Sequence, residues 1–372
     1  MRLTRAEINL RSLRFNLDGI RKKVGPAVHL MGIVKANAYG HGIIEIAHAL
    51  NKMGIEYLGV GFLEEGILLR NHGITTPILV LGGVLGSQVE DFLEYNLDIT
   101  VSSMEIADRI NAEVEANGGR KPRIHLKIDT GMERLGVRWE NAAQFLDHVM
   151  GLKNLEIIGI YSHFATADEK DKSFAYEQLE RFRKVVDSAL GMGMNIPYRH
   201  IANSGAILDI PESYCTMVRP GILLYGIYPS LETSECIPVR PVLELKSRVV
   251  YIKEILEGMT VSYGRQFRAA GRTKIATIPI GYGDGYNRLL SNAARVLIGG
   301  KKCPVVGAVC MDQIMVDVGL DMNVHVGDDV TVIGEEGGEK VAAWDLAVLM
   351  KTIPYEVLTN IAARVPRFYL DE

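Results

Sequence analysis

A lysine that closes an apolar run is the first residue able to do chemistry. In IVKANAYGHG, residues 33–42, Lys35 follows VHLMGIV (28–34) and precedes a turn of small residues and glycine. Two readings stand open. An amine at a strand end is ordinarily a surface group. Held at the mouth of a barrel it would be partly buried, and burial disfavours the charged form, leaving a nucleophilic nitrogen. Other reactive side chains recur at equivalent points. RIHLKI (123–128) runs into DTGMERLG with Arg134, and LEIIGIY (155–161) into SHFATADE with His163. YRHIA (198–202) leads to Asn203 and Ser204, and CTMVR (215–219) opens RPGILLYG with Arg219, Gly221 and Ile222. Loops are polar in any protein, yet this density of Lys, Arg, His and Ser at run ends points to one site built from several strands.

The elements that must position these residues alternate in type. YLGV (57–60), PILVL (77–81) and DITV (98–101) bring the apolar runs to eight. Amphipathic stretches such as GIIEIAHALNKMG, SMEIADRINAEVEANGG and EQLERFRKVVDSALGMG lie between most of them, several ending on helix-capping glycine. Eight such units over residues 10–230 suit an α/β fold with an N-terminal (β/α)8 barrel, whose active site forms at the C-terminal ends of its strands. An open doubly wound sheet is the competing arrangement, because alternation does not distinguish closure from openness.

After Tyr225 the pattern changes. IYPSLETSECIPVRP reads as a linker, and VLELKSRVVYI, KIATIPI, RVLIGGKKCPVVG, IMVDV and DDVTVIG read as strands, with one helix near AAWDLAVLMKT. LTRAEINL also alternates, so residues 1–9 are expected to join 238–372 in a mostly β C-terminal domain.

Composition removes several function classes. A chain of 372 residues is too long for one ordinary domain, and 48% apolar with 23% charged residues describes a soluble globular protein. A net charge of −4 without a basic run leaves no nucleic-acid footprint. No apolar stretch is long enough for a bilayer, and MRLTRAEINL lacks the apolar region of a signal peptide, so no membrane and a cytoplasmic location are expected. Cys215, Cys236, Cys303 and Cys310 form no Cys-x-x-Cys pair, and no histidine cluster has metal-ligand spacing. Free thiols and no metal are expected.

Phosphate is the first ligand to weigh. Loops after the seventh and eighth strands of such barrels bind it through backbone N–H groups and a helix N-terminus. Ser204 offers a hydroxyl, and Gly221 and Ile222 offer amides. Taken alone, Asn203-Ser204-Gly205 is better read as a helix cap. A lysine joined to a phosphate cradle points to pyridoxal 5'-phosphate, an aldehyde cofactor tethered covalently through a lysine amine.

At these residues a family resemblance becomes close. VKANAYGHG, DTGMERLGV, SHFATADE, ANSG, RPGILLYG, VSYG, GYGDGY and AVCMDQIMVDV together resemble alanine racemase, a fold-type III pyridoxal phosphate enzyme, through nearly the whole chain and in the family's order. The resemblance implies interconversion of L- and D-alanine for peptidoglycan synthesis, with Lys35 and Tyr263 as bases on opposite faces of the substrate. A phenol, with an ordinary pKa of about 10, is a weak base and needs support. It also implies a homodimer in which Tyr263 and the backbone of Met311 complete the partner's site, while His163 links the tyrosine toward Arg219.

Arg219 is implied to face the cofactor's ring nitrogen, offering only donors, and Arg134 the substrate carboxylate. Tyr39 and Tyr355 are implied at the phosphate, Tyr282 and Tyr355 at a narrow entrance, and Asp168 and Arg288 in the corridor beyond it. Lys127 matches a lysine that the family carries as a carbamate, and Ala308 departs from it where an arginine is common. Within this class, serine or another small amino acid is the first rival substrate. A decarboxylase on the same barrel is a second reading, and a cofactor carrier, which would need no β domain, a third.

Overall fold

The computed structural model describes residues 2–117 and 120–371, in two compact units. The first comprises Arg14–Ala38 and Ile43–Arg240. Its eight parallel barrel strands are His29–Ile33, Tyr57–Val60, Ile78–Val80, Asp98–Val101, Arg123–Asp129, Glu156–Tyr161, Tyr198–His200 and Met217–Val218. Hydrogen-bonded neighbours run eighth, first, second and onward to the seventh. Thr216 N–H donates to Arg199 O (3.2 Å) and Arg219 N–H to Ala202 O (3.0 Å), linking the eighth strand back to the seventh. These closing bonds exclude the open sheet.

The strands read as unbroken apolar runs because they are buried on both faces: the second, third and fourth have no exposed position. The helices behind them show the opposite pattern. Ile43–Lys52 buries Ile43, Ile46, Ala47, Ala49 and Leu50 along one stripe. Helix Ser173–Gly191 buries Ala175, Leu179, Phe182, Val185 and Ala189, and in the same stripe Gln178. That amide ties two barrel loops together: it donates to His163 O (3.1 Å) and Thr130 Oγ1 (3.3 Å) and accepts from Ala165 N–H (2.9 Å). The helix expected over SMEIADRINAEVEANGG is Met104–Asn117, and its two closing glycines lie outside the described residues.

In the second unit, Lys301–Pro304, Arg295–Ile298, Asp329–Glu336, Leu243–Arg248, Arg5–Asn9 and Arg367–Leu370 are successive neighbours in one sheet. Arg5–Asn9 pairs antiparallel with Leu243–Arg248 and parallel with Arg367–Leu370. A separate sheet orders Tyr251–Ile255, Thr273–Ile278 and Ile314–Asp317. Ile255, Val261, Ala269, Ile275 and Val306 form an apolar cluster, with Phe267 and Met315 against it.

Three features depart from expectation. The breaker-rich stretch read as a linker is fastened to the first helix, Leu10–Val24. Asn16 Nδ2 donates to Arg240 O (2.8 Å) and Leu224 O (2.9 Å), Arg240 N–H returns to Asn16 Oδ1 (2.7 Å), and Tyr228 Oη donates to Ile237 O (2.9 Å). The prolines there shape a packed loop. A second short helix, Pro354–Thr359, follows Ala343–Met350; six residues opened by proline carry too little periodicity to be read. Finally, Tyr39–Gly42 belongs to the β-rich unit although it follows the first barrel strand.

Gly159 marks the tightest point in the barrel interior, since a Cβ there would lie 2.0 Å from His125 Nδ1. Gly159→Ala is expected to destabilise the protein by at least about 1–3 kcal/mol, lowering the denaturant midpoint without changing the slope; an unchanged midpoint would refute this steric account.

Candidate active site

Lys35 sits where the first barrel strand turns away. Ala36, Asn37, Ala38 and Tyr39 all follow it in the left-handed region, with φ of 53°, 55°, 52° and 53°. Such a conformation costs an L-residue about 1–2 kcal/mol, so the turn needs support. Ala36 N–H donates to Glu65 Oε1 (2.7 Å), Ala38 N–H to Val34 O (2.8 Å), and Ile43 N–H to Asn37 Oδ1 (2.9 Å). The other Glu65 oxygen accepts from Gly61 N–H (2.7 Å), and Gly61 leaves room for this carboxylate and for Lys35, whose Cβ would be 3.5 Å from an added methyl.

Although Lys35 keeps solvent contact, its pKa is lowered, first by burial and then by the Arg134 charge. Glu65 opposes this and Arg219 adds to it. Glu65 escaped sequence reasoning because a carboxylate in the first turn of helix Leu63–Asn71 is an ordinary helix-start signal.

Arg219 is 4% exposed and lies behind the mouth of the barrel. Its Nη1 donates to His200 Nδ1 (2.8 Å), and its Nη2 to Ser162 O (2.8 Å), His163 Nδ1 (2.9 Å) and Ile201 O (3.2 Å). A guanidinium has only donors, so both Nδ1 atoms must accept and both histidines carry their proton on Nε2. Burial first, and the Arg219 charge second, hold His163 and His200 well below their ordinary pKa. The imidazoles are therefore neutral. Among the described bonds, Nε–H and the second Nη1–H of Arg219 have no acceptor.

Lys127, 6% exposed, holds its Nζ 4.4 Å over the Tyr161 ring. Burial, Arg219 and Arg134 hold its pKa well below the lysine range, against a weaker upward pull from Asp129. Tyr161 stacks on His200 (4.8 Å between ring centres, 2° between planes), and its hydroxyl pairs with Thr100 Oγ1 (2.8 Å). Lys127, Asp129, Met132, Arg134, Ser162 and His163 line a small cavity. Asp129 shapes the loop carrying Arg134 by accepting from Gly131 N–H (2.8 Å) and Met132 N–H (2.9 Å). Arg134 itself is exposed on this rim.

The seventh and eighth strand ends meet at Ser204. Asn203 takes the cap role, accepting from Ala206 N–H (3.0 Å) at the start of helix Ser204–Asp209. Ser204 Oγ accepts from Gly221 N–H (3.0 Å) and Leu223 N–H (3.4 Å), which leaves its own proton for an outside acceptor such as a phosphate oxygen. Ile222 is buried in the turn that follows Gly221. Gly205 is required where the loop of Ala167 and half-buried Asp168 crosses, because a Cβ would lie 2.9 Å from Ala167 O. A lowered-pKa amine, a serine hydroxyl with its proton still to donate and guanidinium donors without an acceptor among the described bonds fit pyridoxal phosphate.

The β-rich unit holds the remaining candidates. Tyr263 is 72% exposed between Ser262 (φ 67°) and Gly264 (φ 70°), and Ser262 Oγ donates to the carbonyl of buried Ala308 (2.6 Å). Tyr282 and Met311, 42% and 54% exposed, are joined through their backbones. Tyr282 N–H donates to Cys310 O (3.0 Å) and Gly283 N–H to Met311 O (2.9 Å). Gly281 permits this, since its Cβ would lie 2.2 Å from Cys310 O. Tyr39 and half-buried Tyr355 face each other at 5.8 Å, and Arg288 is exposed in the single turn Arg288–Leu290. Large aromatic and thioether side chains left open to solvent on a hydrogen-bonded frame suit a contact surface.

Comparison with known proteins gives the family. Residues 8–229 match the alanine racemase N-terminal domain and residues 242–369 the alanine racemase C-terminal domain. The chain belongs to the alanine racemase family. Alanine racemase 2 of Caldanaerobacter subterraneus is 46% identical over 100% of this chain and 95% of its own. The structure of a Clostridium difficile alanine racemase is 40% identical with a TM-score of 0.95, covering 100% of this chain and 97% of that one. A histidine racemase from Leuconostoc mesenteroides is also similar, 29% identical with a TM-score of 0.90 over 100% of this chain and 98% of that one. Among the described residues, no helix is long and apolar enough to cross a membrane, and no three metal-ligating side chains cluster.

Within this alanine racemase fold, Glu65 carries both the turn behind Lys35 and the one negative charge that raises its pKa. Glu65→Ala is expected to lower the Lys35 pKa further. The pH dependence of labelling by an amine-specific reagent, read by mass spectrometry, reports it; a midpoint that moves upward contradicts the electrostatic assignment.

Proposed function

We propose that this protein is a pyridoxal phosphate-dependent alanine racemase that exchanges the α-hydrogen of alanine between two faces. The single observation supporting the reading is the place of Lys35: an amine at the end of the first barrel strand, held there by a left-handed turn braced on Glu65, with burial and then Arg134 lowering its pKa. When bound, the cofactor supplies an electron sink that makes the substrate α-hydrogen acidic. Lys35 tethers it, and Ser204, Ile222, Asn203, Tyr39 and Tyr355 hold the phosphate side; Gly221, expected to give its amide, contributes the close turn instead, because its N–H is already donated to Ser204 Oγ.

Arg134 and the Met311 backbone bind the substrate carboxylate. Arg219, with only donors to offer, would hold the ring nitrogen without a protonating carboxylate, and the group would then supply a milder electron sink. That protects racemisation against transamination.

Lys35 Nζ takes or returns the proton on one face and Tyr263 Oη on the other. Tyr263 comes from a second copy of the chain, in a homodimer with composite sites. The exposure of Tyr263, Tyr282 and Met311 supports this arrangement. His163, with its proton on Nε2, has a donor to offer the phenolate oxygen, and donation to a charged form stabilises it. Tyr282, Tyr355, Asp168 and Arg288 line the approach. The D-alanine formed in the cytoplasm serves peptidoglycan synthesis.

The neutral amine of Lys127 adds to carbon dioxide, forming a nitrogen–carbon bond and losing a proton; the carbamate then pairs with Arg134. Its burial beside two guanidiniums, which an anion would neutralise, supports this.

The purified holoenzyme should convert L-alanine to D-alanine without releasing carbon dioxide, by chiral chromatography over a panel that includes L-serine and L-histidine. Racemisation confined to L-histidine, or decarboxylation, would replace this reading. Tyr263→Phe should keep the cofactor absorbance yet lose activity by at least about a hundredfold; full activity in both directions would end the two-base scheme. With labelled bicarbonate, a carbon resonance in the carbamate range that Lys127→Ala abolishes is expected, and its absence from the wild type removes the carbamate.

A further inference from the structure

The polar chain behind Arg219 continues past His200 into the barrel interior, to residues with no part in the chemistry above. His200 Nε2 lies 2.9 Å from His125 Nδ1, and His125 Nε2 lies 3.5 Å from Tyr57 Oη. Tyr57 Oη in turn donates to Asp98 Oδ2. The other carboxylate oxygen, Oδ1, accepts from Nε and Nη2 of Arg123, each at 2.7 Å. His125 and His200 are fully buried, and Tyr57 and Asp98 are each 1% exposed. The barrel is cut to admit this chain: position 159 tolerates no side chain because His125 occupies the space.

Counting donors assigns every proton. Arg219 can only donate, so His200 Nδ1 accepts and the proton sits on Nε2. That N–H faces His125 Nδ1, which must accept, so the second histidine is also protonated on Nε2. Its N–H points at Tyr57 Oη, whose own proton goes to Asp98, a carboxylate whose pKa burial raises and whose other oxygen is paired with Arg123. All four links run one way, from guanidinium to carboxylate. A reversed chain also exists on paper. If the phenol gave its proton to His125 Nε2, both histidines would switch, and His200 Nδ1–H would oppose the N–H of Arg219. Asp98 excludes that state by taking the phenol proton itself.

We infer that Asp98 is a positioning residue for Arg219: by accepting the Tyr57 proton it keeps the phenol from reversing a buried histidine chain, so that the guanidinium presents its free donors to the cofactor ring. For its kinetic readout this rests on the racemase reading; for its tautomer readout it does not.

The test is ring-nitrogen NMR of the holoenzyme labelled at histidine. Both buried imidazoles should carry the proton on Nε2. A proton on Nδ1 of either one in the wild type overturns the inference, whatever the substrate. Asp98→Asn is the informative variant. Its amide oxygen still serves Arg123, while its N–H₂ is aimed at Tyr57 Oη and turns the hydroxyl toward His125. Both histidines should shift to Nδ1–H, and kcat should fall on the order of tenfold while KM changes less than about threefold.

The double variant Tyr57→Phe/Asp98→Asn has no phenol proton left to reverse the chain. It should recover Nε2–H on His200 and most of kcat, which a purely structural defect would not do. Unaltered tautomers in Asp98→Asn, or a double variant no better than the single one, refutes the inference. If Asp98→Asn fails to fold, Tyr57→Phe decides. Arg219 alone then dictates the His200 tautomer, which must stay Nε2–H, and a change there counts against the proposal.

Discussion

A buried guanidinium whose described hydrogen bonds include no carboxylate is the constraint on which the rest depends. Arg219 is surrounded by two imidazole nitrogens and two backbone carbonyls, and burial pulls its pKa down to about 10, leaving it charged near neutral pH. An ion so placed is costly unless its partners are well aligned. Its charge makes a second cation nearby unfavourable. Burial first, and this charge after it, drive Lys127, His163 and His200 toward their neutral forms; Lys35 is pulled the same way by burial and Arg134, with Arg219 adding less. Among the described ion pairs neither Arg219 nor Arg134 has a carboxylate, so both guanidiniums can take an anion.

Close approach is the second theme. Gly205 and Gly281 stand where a methyl would strike a carbonyl, and the chain beside a candidate residue there crosses another segment at backbone distance; at Gly61 a methyl would press on the side chains of Glu65 and Lys35. Glycine here sets the positions of Lys35, Ser204 and Met311 more than it loosens the turns that carry them. The left-handed run after Lys35 adds the opposite case, four residues with side chains held where glycine would be at ease, because Glu65, Val34 and Asn37 engage the local amides.

The barrel was legible from the chain because burial on both faces writes a strand as an unbroken apolar run. The eight runs read from sequence correspond to the eight strands within one or two residues. The rim residues were legible for a related reason: in this architecture a strand's end fixes a side chain's place. What escaped was carried by geometry with no local signature. Glu65 looks like any helix-start carboxylate, and His125 and His200 look like core residues inside strands. Tyr57 and Asp98 are buried at opposite sides of a hydrogen bond that spans 41 positions. The packed stretch before Pro241 misled because proline marks a change of direction, whether the loop is loose or fastened.

The turn behind Lys35 bears on how such a chain can be divided. Tyr39–Gly42 lies among the residues of the β-rich unit, where Arg367 Nε donates to Gly40 O (3.1 Å) and Tyr369 Oη to His41 O (3.0 Å). A Cβ on Gly40 would come within 2.2 Å of Leu358 O. Four residues from the start of the barrel are thus lodged among the last residues of the polypeptide. Splitting the gene near codon 240 would separate that tetrapeptide from its seat, so this architecture resists exchange by domain shuffling. Its halves are bound to be inherited together.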